Sequence, residues 1–417
     1  MEIYLPQKVK FIIDKMYENG YEAFIVGGCV RDSILGIKPN DYDITTNAQP
    51  KDIINIFKDF KIIDNGIKHG TVGVIIDKEI YEITTYRIEG EYENNRKPKD
   101  VEFTTNIYED LKRRDFTINA IAYNDKVGII DKFDGIKDLR RKVVQTVGNP
   151  DERFNEDGLR LIRAIRFSSK LNFTIEEKTL KSIYKNADII KKISKERITE
   201  EFSKMVLSDN PQNIILLYKT GIFKSIGIYS YISENGYKEF ESSLNLLKFC
   251  PNNLVERMAM LEYIIKQNKV PSRSIINTLI YSNKFKDECG NMVNYMLMEY
   301  DNIDSVNIKL ILNKVGPKLL LKALELKKVF YKNNLYNTKS NSNIKEKNFI
   351  LDNIINRVIK IEQNKECYKL KDLNINGRDL ENIGYRGKEI GEKLNILLSK
   401  VMSNPKLNEK EILINLV

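Results

Sequence analysis

The sequence predicts an α/β head followed by a helical remainder, and three observations predict it. Short apolar runs suited to strands alternate with helical spacing through the first 145 residues. From Pro150 onward strand signals vanish and amphipathic helical patterns continue to the C-terminus. At 417 residues the chain also exceeds the size at which one hydrophobic core stops growing, so several domains are expected.

Taken in order, Val9, Ile12, Ile13 and Met16 recur at helical spacing and predict a helix over 7–18. Apolar runs at Ala23–Val26 and Asp43–Thr45 read as strands. Gly73–Asp77 and Ile80–Thr85 read as paired strands around a charged turn, and Asp100–Thr104 as another. Between Lys112 and Tyr123 three cations precede an acid and an apolar helix. The polar, Asn-rich stretch Tyr331–Asn348 reads as a linker. These shifts divide the chain into 1–145, 146–205, 206–330 and 331–417.

An apolar content of 42% is enough to bury real cores. Lys and Arg outnumber Asp and Glu by 68 to 58, a formal charge of +10 that favours polyanionic partners. A Lys-rich solvated surface would give the same excess, so charge alone assigns no activity. The four cysteines form no C-x-x-C pair, which argues against a zinc knuckle or disulfide framework and fits a reducing cytoplasm. His69, the sole histidine, reads as a turn or packing residue, and its isolation excludes most histidine-based chemistries. No stretch approaches the ~20 apolar residues of a membrane span, and the expectation is a soluble intracellular protein.

Chemistry concentrates in four segments. In Phe24–Thr46 a strand ends at Gly27-Gly28, and a helix follows carrying Arg31 and Asp32. Paired glycines let a backbone approach a ligand, and Arg31 adds a cation one turn on. Asp41-Tyr42-Asp43 then places carboxylates at i and i+2, on one face if the segment is a strand. Two such charges repel unless a cation lies between them, and hard oxygen ligands suit Mg²⁺. A solvent-facing acidic strand edge has the same spacing; the preceding Gly-Gly-x-x-Arg-Asp turn favours the metal. Glu82, on an alternating strand, supplies a third carboxylate, although an exposed strand glutamate looks alike. Arg114, Asp115 and Asn119 suit the ribose and phosphates of a nucleotide. Finally, Asp157, Arg160, Arg163 and Arg166 recur every three residues, with Leu159, Ile162 and Ile165 facing a core. A carboxylate and a guanidinium fork together could read a base edge, although such i,i+3 pairs are most often surface salt bridges.

These segments resemble the class II tRNA nucleotidyltransferases, the bacterial CCA-adding enzymes and their poly(A) polymerase relatives. The likeness runs through VGGCVRD…DYDITT, GIKHGTVGV with YEITTYR, RRDFTINAIAYN, NEDGLRLIRAIRFSSKL and SKERITEEFSKM, from Phe24 to about Met205. The tail INGRDLENIGYRGKEIGEKLN is similar to the family's ending, without the usual proline near Arg386. The resemblance implies a polymerase-β-like nucleotidyltransferase head followed by an elongated helical neck, body and tail. It implies that Asp41 and Asp43 are metal ligands with Glu82 as the associated acid. Gly28 and Arg31 would contact the triphosphate and Arg114 the nucleotide. Asp157 and Arg160 would pair with the base edge, Arg163 and Arg166 would extend the site, and Glu196-Arg197 would brace the reading helix. Ile88–Phe103 resembles the loop used in switching from CTP to ATP. The implied reaction is addition of C, C and A to the tRNA 3′ end with Mg²⁺, from CTP and ATP. Partner-dependent CC-only or A-only addition, poly(A) synthesis and a non-catalytic RNA-binding module are the alternatives.

Overall fold

A computed structural model describes residues 2–89, 92–93, 97–98, 101–229, 234–270, 272–333 and 341–417. The chain divides into two compact units, Met1–Tyr231 with Thr278–Ile280, and Ile232–Asn277 with Tyr281–Val417.

The first unit opens with α1 (Gln7–Glu18), whose Val9, Ile12, Ile13 and Met16 are all buried, as their spacing predicts. Then follow β1 (Ala23–Val26), α2 (Gly28–Ile34), β2 (Ile44–Thr46), α3 (Pro50–Ile56), β3 (Lys61–Ile63), β4 (Thr71–Ile76) and β5 (Glu79–Thr85). The short strands β6 (Arg87–Glu89), β7 (Tyr92–Glu93), β8 (Lys97–Pro98) and β9 (Val101–Phe103) precede α4 (Ile107–Lys112), β10 (Ile121–Asn124) and β11 (Gly128–Asp131). A seven-stranded mixed sheet results, in the order β11-β10-β1-β2-β5-β4-β3. Only β2 and β5 pair in parallel; every other neighbouring pair in this sheet is antiparallel.

The β4–β5 hairpin turns through Asp77 and Lys78, both at positive φ (48° and 69°), the two-residue turn whose twist matches its strands. Phe24, Val26, Tyr86, Leu111, Ala120, Ala122 and Val147 form one core cluster of this unit. The helix expected after Asp115 is not there. Thr117–Asn119 is a single 3-10 turn, and Ile121–Asn124 is strand β10, buried at all four positions. A strand covered on both faces carries a continuous apolar run, which periodicity does not separate from a helix. Asp41-Tyr42-Asp43 likewise lies in the segment entering β2, not within the strand, although the Asp43 carbonyl still accepts from the Val26 N–H at 3.0 Å. Parts of Ile88–Phe103 lie outside the described residues; its ends pair as β6 with β9.

After α5 (Gly135–Arg141) come β12 (Val143–Val144), α6 (Pro150–Glu156), α7 (Leu159–Leu171), β13 (Thr174–Ile175), α8 (Glu177–Asn186) and α9 (Lys195–Val206). The β12–β13 ladder is one strand contact beyond Pro150, where none was expected. Asp157 lies before α7 and not on it, since α6 ends at Glu156 and α7 begins at Leu159. Leu159, Ile162 and Ile165 are buried as predicted, but so are Arg160 (7% exposed) and Arg166 (8%).

The second unit is helical, with long helices at Leu254–Gln267, Asn283–Leu297, Ser305–Asn333, Asn341–Gln363 and Lys388–Ser403. The helix at Ser305–Asn333 is broken at Gly316 (φ 74°), immediately before Pro317. Its core includes Tyr300, Leu312, Leu324, Val358, Leu397 and Val401. Much of the expected linker at Tyr331–Asn348 is helical at its two ends; 334–340 lie outside the described residues. Among the described residues no helix is long and apolar enough to cross a membrane.

Candidate active site

The acidic centre is built on the β2–β5 pair. Ile44 is in register with Ile83 in parallel, and extending that register by one residue sets Asp43 opposite Glu82. Asp41, Asp43 and Glu82 are all solvent-exposed. Protein atoms nevertheless crowd Asp43 enough that desolvation raises its carboxyl above the ordinary value. The charge of Asp41 raises it further, Arg114 pulls it back and Glu82 adds a smaller rise. Four predicted residues therefore act on one another here. Among the described residues no three His, Cys, Asp or Glu side chains form a ready-made metal cage. A hard cation that retains waters and takes phosphate oxygens from its substrate needs only one or two protein carboxylates. The all-oxygen donor set and the repulsion of Asp43 by Asp41 and Glu82, which Arg114 offsets only in part, fit such a cation.

Arg114 reaches this centre from the end of α4. Its guanidinium bonds Asp110 at 3.1 Å, and a Cβ added at Gly27 would lie 3.1 Å from its Nη1. Gly27 itself has φ 80°, a conformation that suits glycine, so its identity follows from both the turn and the close approach. Asp110 is fully buried; desolvation pushes its carboxyl up, but Arg114 and Arg113 together hold it below the ordinary range. The sequence reading passed over Asp110, although its spacing of three and four residues before two arginines was a visible signal.

Arg31 is only 3% exposed. It donates to Asp32 at 2.7 Å and to Asn119 at 2.6 Å. Gly28 leaves room beside it, since a Cβ there would meet only an Arg31 nitrogen, at 3.6 Å.

The arginines around α7 are each held by an acid. Arg160 pairs with Glu156 and donates to the Arg113 carbonyl at 2.9 Å. Arg163 grips Asp115 through two nitrogens, at 2.9 and 2.6 Å. Arg166 bonds Glu201 of α9, which also faces Arg163 at 3.4 Å. Asp157 does not pair with Arg160: Arg197 holds both its oxygens, at 3.2 and 2.8 Å. The bracing expected of Arg197 is thus made to Asp157 itself. Desolvation would raise the Asp115 carboxyl, yet Arg163 and the Asn119 amide hold it at about 2. Sequence reasoning missed Glu156 and Glu201. The first announces itself as an i,i+4 partner, whereas the second is 35 residues from Arg166 and carries no local signal.

Residues 23–145 match the family described as "Poly A polymerase head domain", and residues 172–227 match "Probable RNA and SrmB- binding site of polymerase A". Fold and family match together define a nucleotidyltransferase. The chain is 36% identical over 411 residues to the CCA-adding enzyme of Ligilactobacillus salivarius, covering 97% of this chain and 94% of that one. It belongs to the CCA-adding enzyme family of tRNA nucleotidyltransferases. A Bacillus stearothermophilus CCA-adding enzyme solved in complex with CTP superposes with a TM-score of 0.75 at 30% identity, covering 97% of this chain and 94% of that one. A Thermotoga maritima CCA-adding enzyme complexed with tRNA shares the fold, with a TM-score of 0.61 at 21% identity, over 99% and 96% of the two chains.

Proposed function

We infer that this protein adds C, C and A to the 3′ end of tRNA, taking CTP and ATP and releasing pyrophosphate without a nucleic-acid template. The observation that carries the reading is the convergence of Asp43, Asp41, Glu82 and Arg114 at one end of a nucleotidyltransferase sheet. In this reading residues 1–145 are the catalytic head, 146–205 the base-reading neck, 206–330 the body and 331–417 the tRNA-binding tail. The buried cysteines, which form no disulfide, and the tRNA and nucleotide substrates support a cytoplasmic reaction.

Asp41 and Asp43 would hold divalent metal, Mg²⁺ by the hardness of the donors, with Glu82 beside them. When bound, the metal makes the primer 3′-hydroxyl a better nucleophile and offsets charge on the triphosphate. The side chains themselves do the positioning. The bonds from Arg31 to Asp32 and Asn119 take three of its five N–H groups, and the rest, beside Gly28, are available to the triphosphate. Arg114 holds the nucleotide near the acidic centre. Asp157 accepts from an exocyclic amino group and Arg160 donates to ring acceptors, while Arg163 and Arg166 extend the site toward the primer. Base binding must compete with Arg197 for Asp157 and with Glu156 for Arg160. Little general-base chemistry is asked of a chain whose one histidine lies on a turn.

The test is incubation of tRNA ending at the discriminator base with CTP, ATP or both, followed by sizing. CC with CTP alone and CCA with both support the reading. Products ending after CC with both nucleotides, a single A, or long A tracts each overturn it. Chelation should stop all transfer, and Mg²⁺ should restore it.

A further inference from the structure

Between the triphosphate-side arginine and the base-reading helix lies a residue that touches both through one amide. Asn119 is 6% exposed and sits on the 3-10 turn before β10. Its Oδ1 accepts from Arg31 at 2.6 Å, and its Nδ2 donates to Asp115 at 3.0 Å. The orientation of this amide is forced. A guanidinium only donates and an ionised carboxylate only accepts, so oxygen must face Arg31 and nitrogen must face Asp115. Asp115 continues the chain to Arg163 through its other oxygen at 2.6 Å, and Arg163 reaches Glu201, which holds Arg166. The circuit closes over a single ring. Arg31, Arg163 and Arg166 all lie against Phe167, with guanidinium carbons 5.2, 5.4 and 3.8 Å from its centroid. Phe167 is itself held edge-on by Phe116, 5.6 Å away.

We propose that Asn119 is a positioning residue that couples the triphosphate-side Arg31 to the base-reading helix, so that the fit of the base and the placement of the triphosphate are set together. Nothing else among the bonds described above joins Arg31 to Asp115 through a single side chain. A shift of α7 that moves Arg163 must move Asp115, and Asp115 moves the amide on which Arg31 rests. The coupling runs through buried, charge-assisted bonds, the kind whose loss is costly and whose geometry is narrow. This proposal rests on the nucleotide-transfer reading of the same site.

Two substitutions separate coupling from mere structural support. Asn119→Leu keeps the volume and removes both bonds. Asn119→Asp keeps an acceptor for Arg31 but sets a carboxylate against Asp115, breaking only the second link. KM and kcat are measured for CTP and ATP, together with the ratio of correct addition to UTP misincorporation, on tRNA lacking its CCA end. Asn119→Asp should keep the KM for CTP within about twofold while selectivity for CTP over UTP falls about tenfold; Asn119→Leu should raise KM about tenfold and lose selectivity as well. A double-substitution cycle of Arg31→Lys with Arg163→Lys should be non-additive in the wild-type background and additive in Asn119→Leu. Equal loss of every nucleotide with selectivity intact, or an additive cycle in both backgrounds, overturns the coupling. Failure of the wild-type protein to extend tRNA would instead overturn the underlying function, so the two failures are distinguishable.

Discussion

Replacing Arg163 by methionine keeps much of the side-chain bulk and removes the charge that grips Asp115. Two independent routes give the size of the loss. A carboxyl lowered from 3.8 to about 2 corresponds to about 2 kcal/mol of favourable interaction. Stranding one partner of a buried pair costs about 3–5 kcal/mol. The Arg163 side chain keeps 31% exposure, however, so water screens part of that and the figure falls toward about 2 kcal/mol. For a folding unit of this size such a loss lowers the melting temperature by about 4–8 °C. Thermal unfolding of the full chain followed by circular dichroism, for Arg163→Met, Asp115→Asn and the double variant, reads the effect. The double variant should lose less than the sum, because it no longer strands a charge. The pH dependence has a fixed sign. Asp115 is depressed, so its contribution is complete above the unfolded carboxyl value near 3.8 and is lost as pH falls through about 2. The gap between wild type and Arg163→Met should hold from pH 7 to about 4 and narrow below that. Additive losses, or a gap that does not change with pH, would refute the reasoning.

Asp41→Ala should abolish transfer of every nucleotide, whereas Arg160→Ala should shift base preference more than it weakens metal dependence; equal loss of CTP and ATP in the second variant counts against base reading. Arg197→Ala releases Asp157 from its ion pair and should change the CTP-to-ATP ratio of the KM values; unchanged ratios would mean the pair merely holds α9. At Gly135 an added Cβ would stand 2.2 Å from the Thr117 carbonyl, so Gly135→Ala should cost about 3 kcal/mol, and an unaltered melting curve would contradict the packing described.

Where local rules decide structure, the sequence was readable. The helix at 7–18 and the β4–β5 hairpin follow from periodicity and a charged turn, because one face of each is buried and the other is not. Strand β10 was misread because burial on both faces erases that alternation. The same segment also hid the turn that brings Asn119 under Arg31. The candidate site residues could be picked out by type and order, but their partners could not. Asp157 meets Arg197 at a separation of 40 residues and Arg163 meets Asp115 at 48, distances that only the tertiary fold closes. What spacing did announce was the local pairs, Asp110 with Arg113 and Arg114, and Glu156 with Arg160.

The pairing of the α7 arginines and of Arg197 with nearby carboxylates has a consequence for ionic strength. Arg160, Arg163, Arg166 and Arg197 face Glu156, Asp115, Glu201 and Asp157, so these four arginines are close to electrically balanced before any nucleotide arrives. Base choice at these residues, as proposed, should release few condensed ions and vary little with salt. The chain's surplus of ten positive charges lies outside these four pairs and favours an RNA backbone, so capture of the acceptor should weaken as salt rises. Raising the salt would then slow the enzyme by starving it of tRNA while leaving its choice between C and A intact.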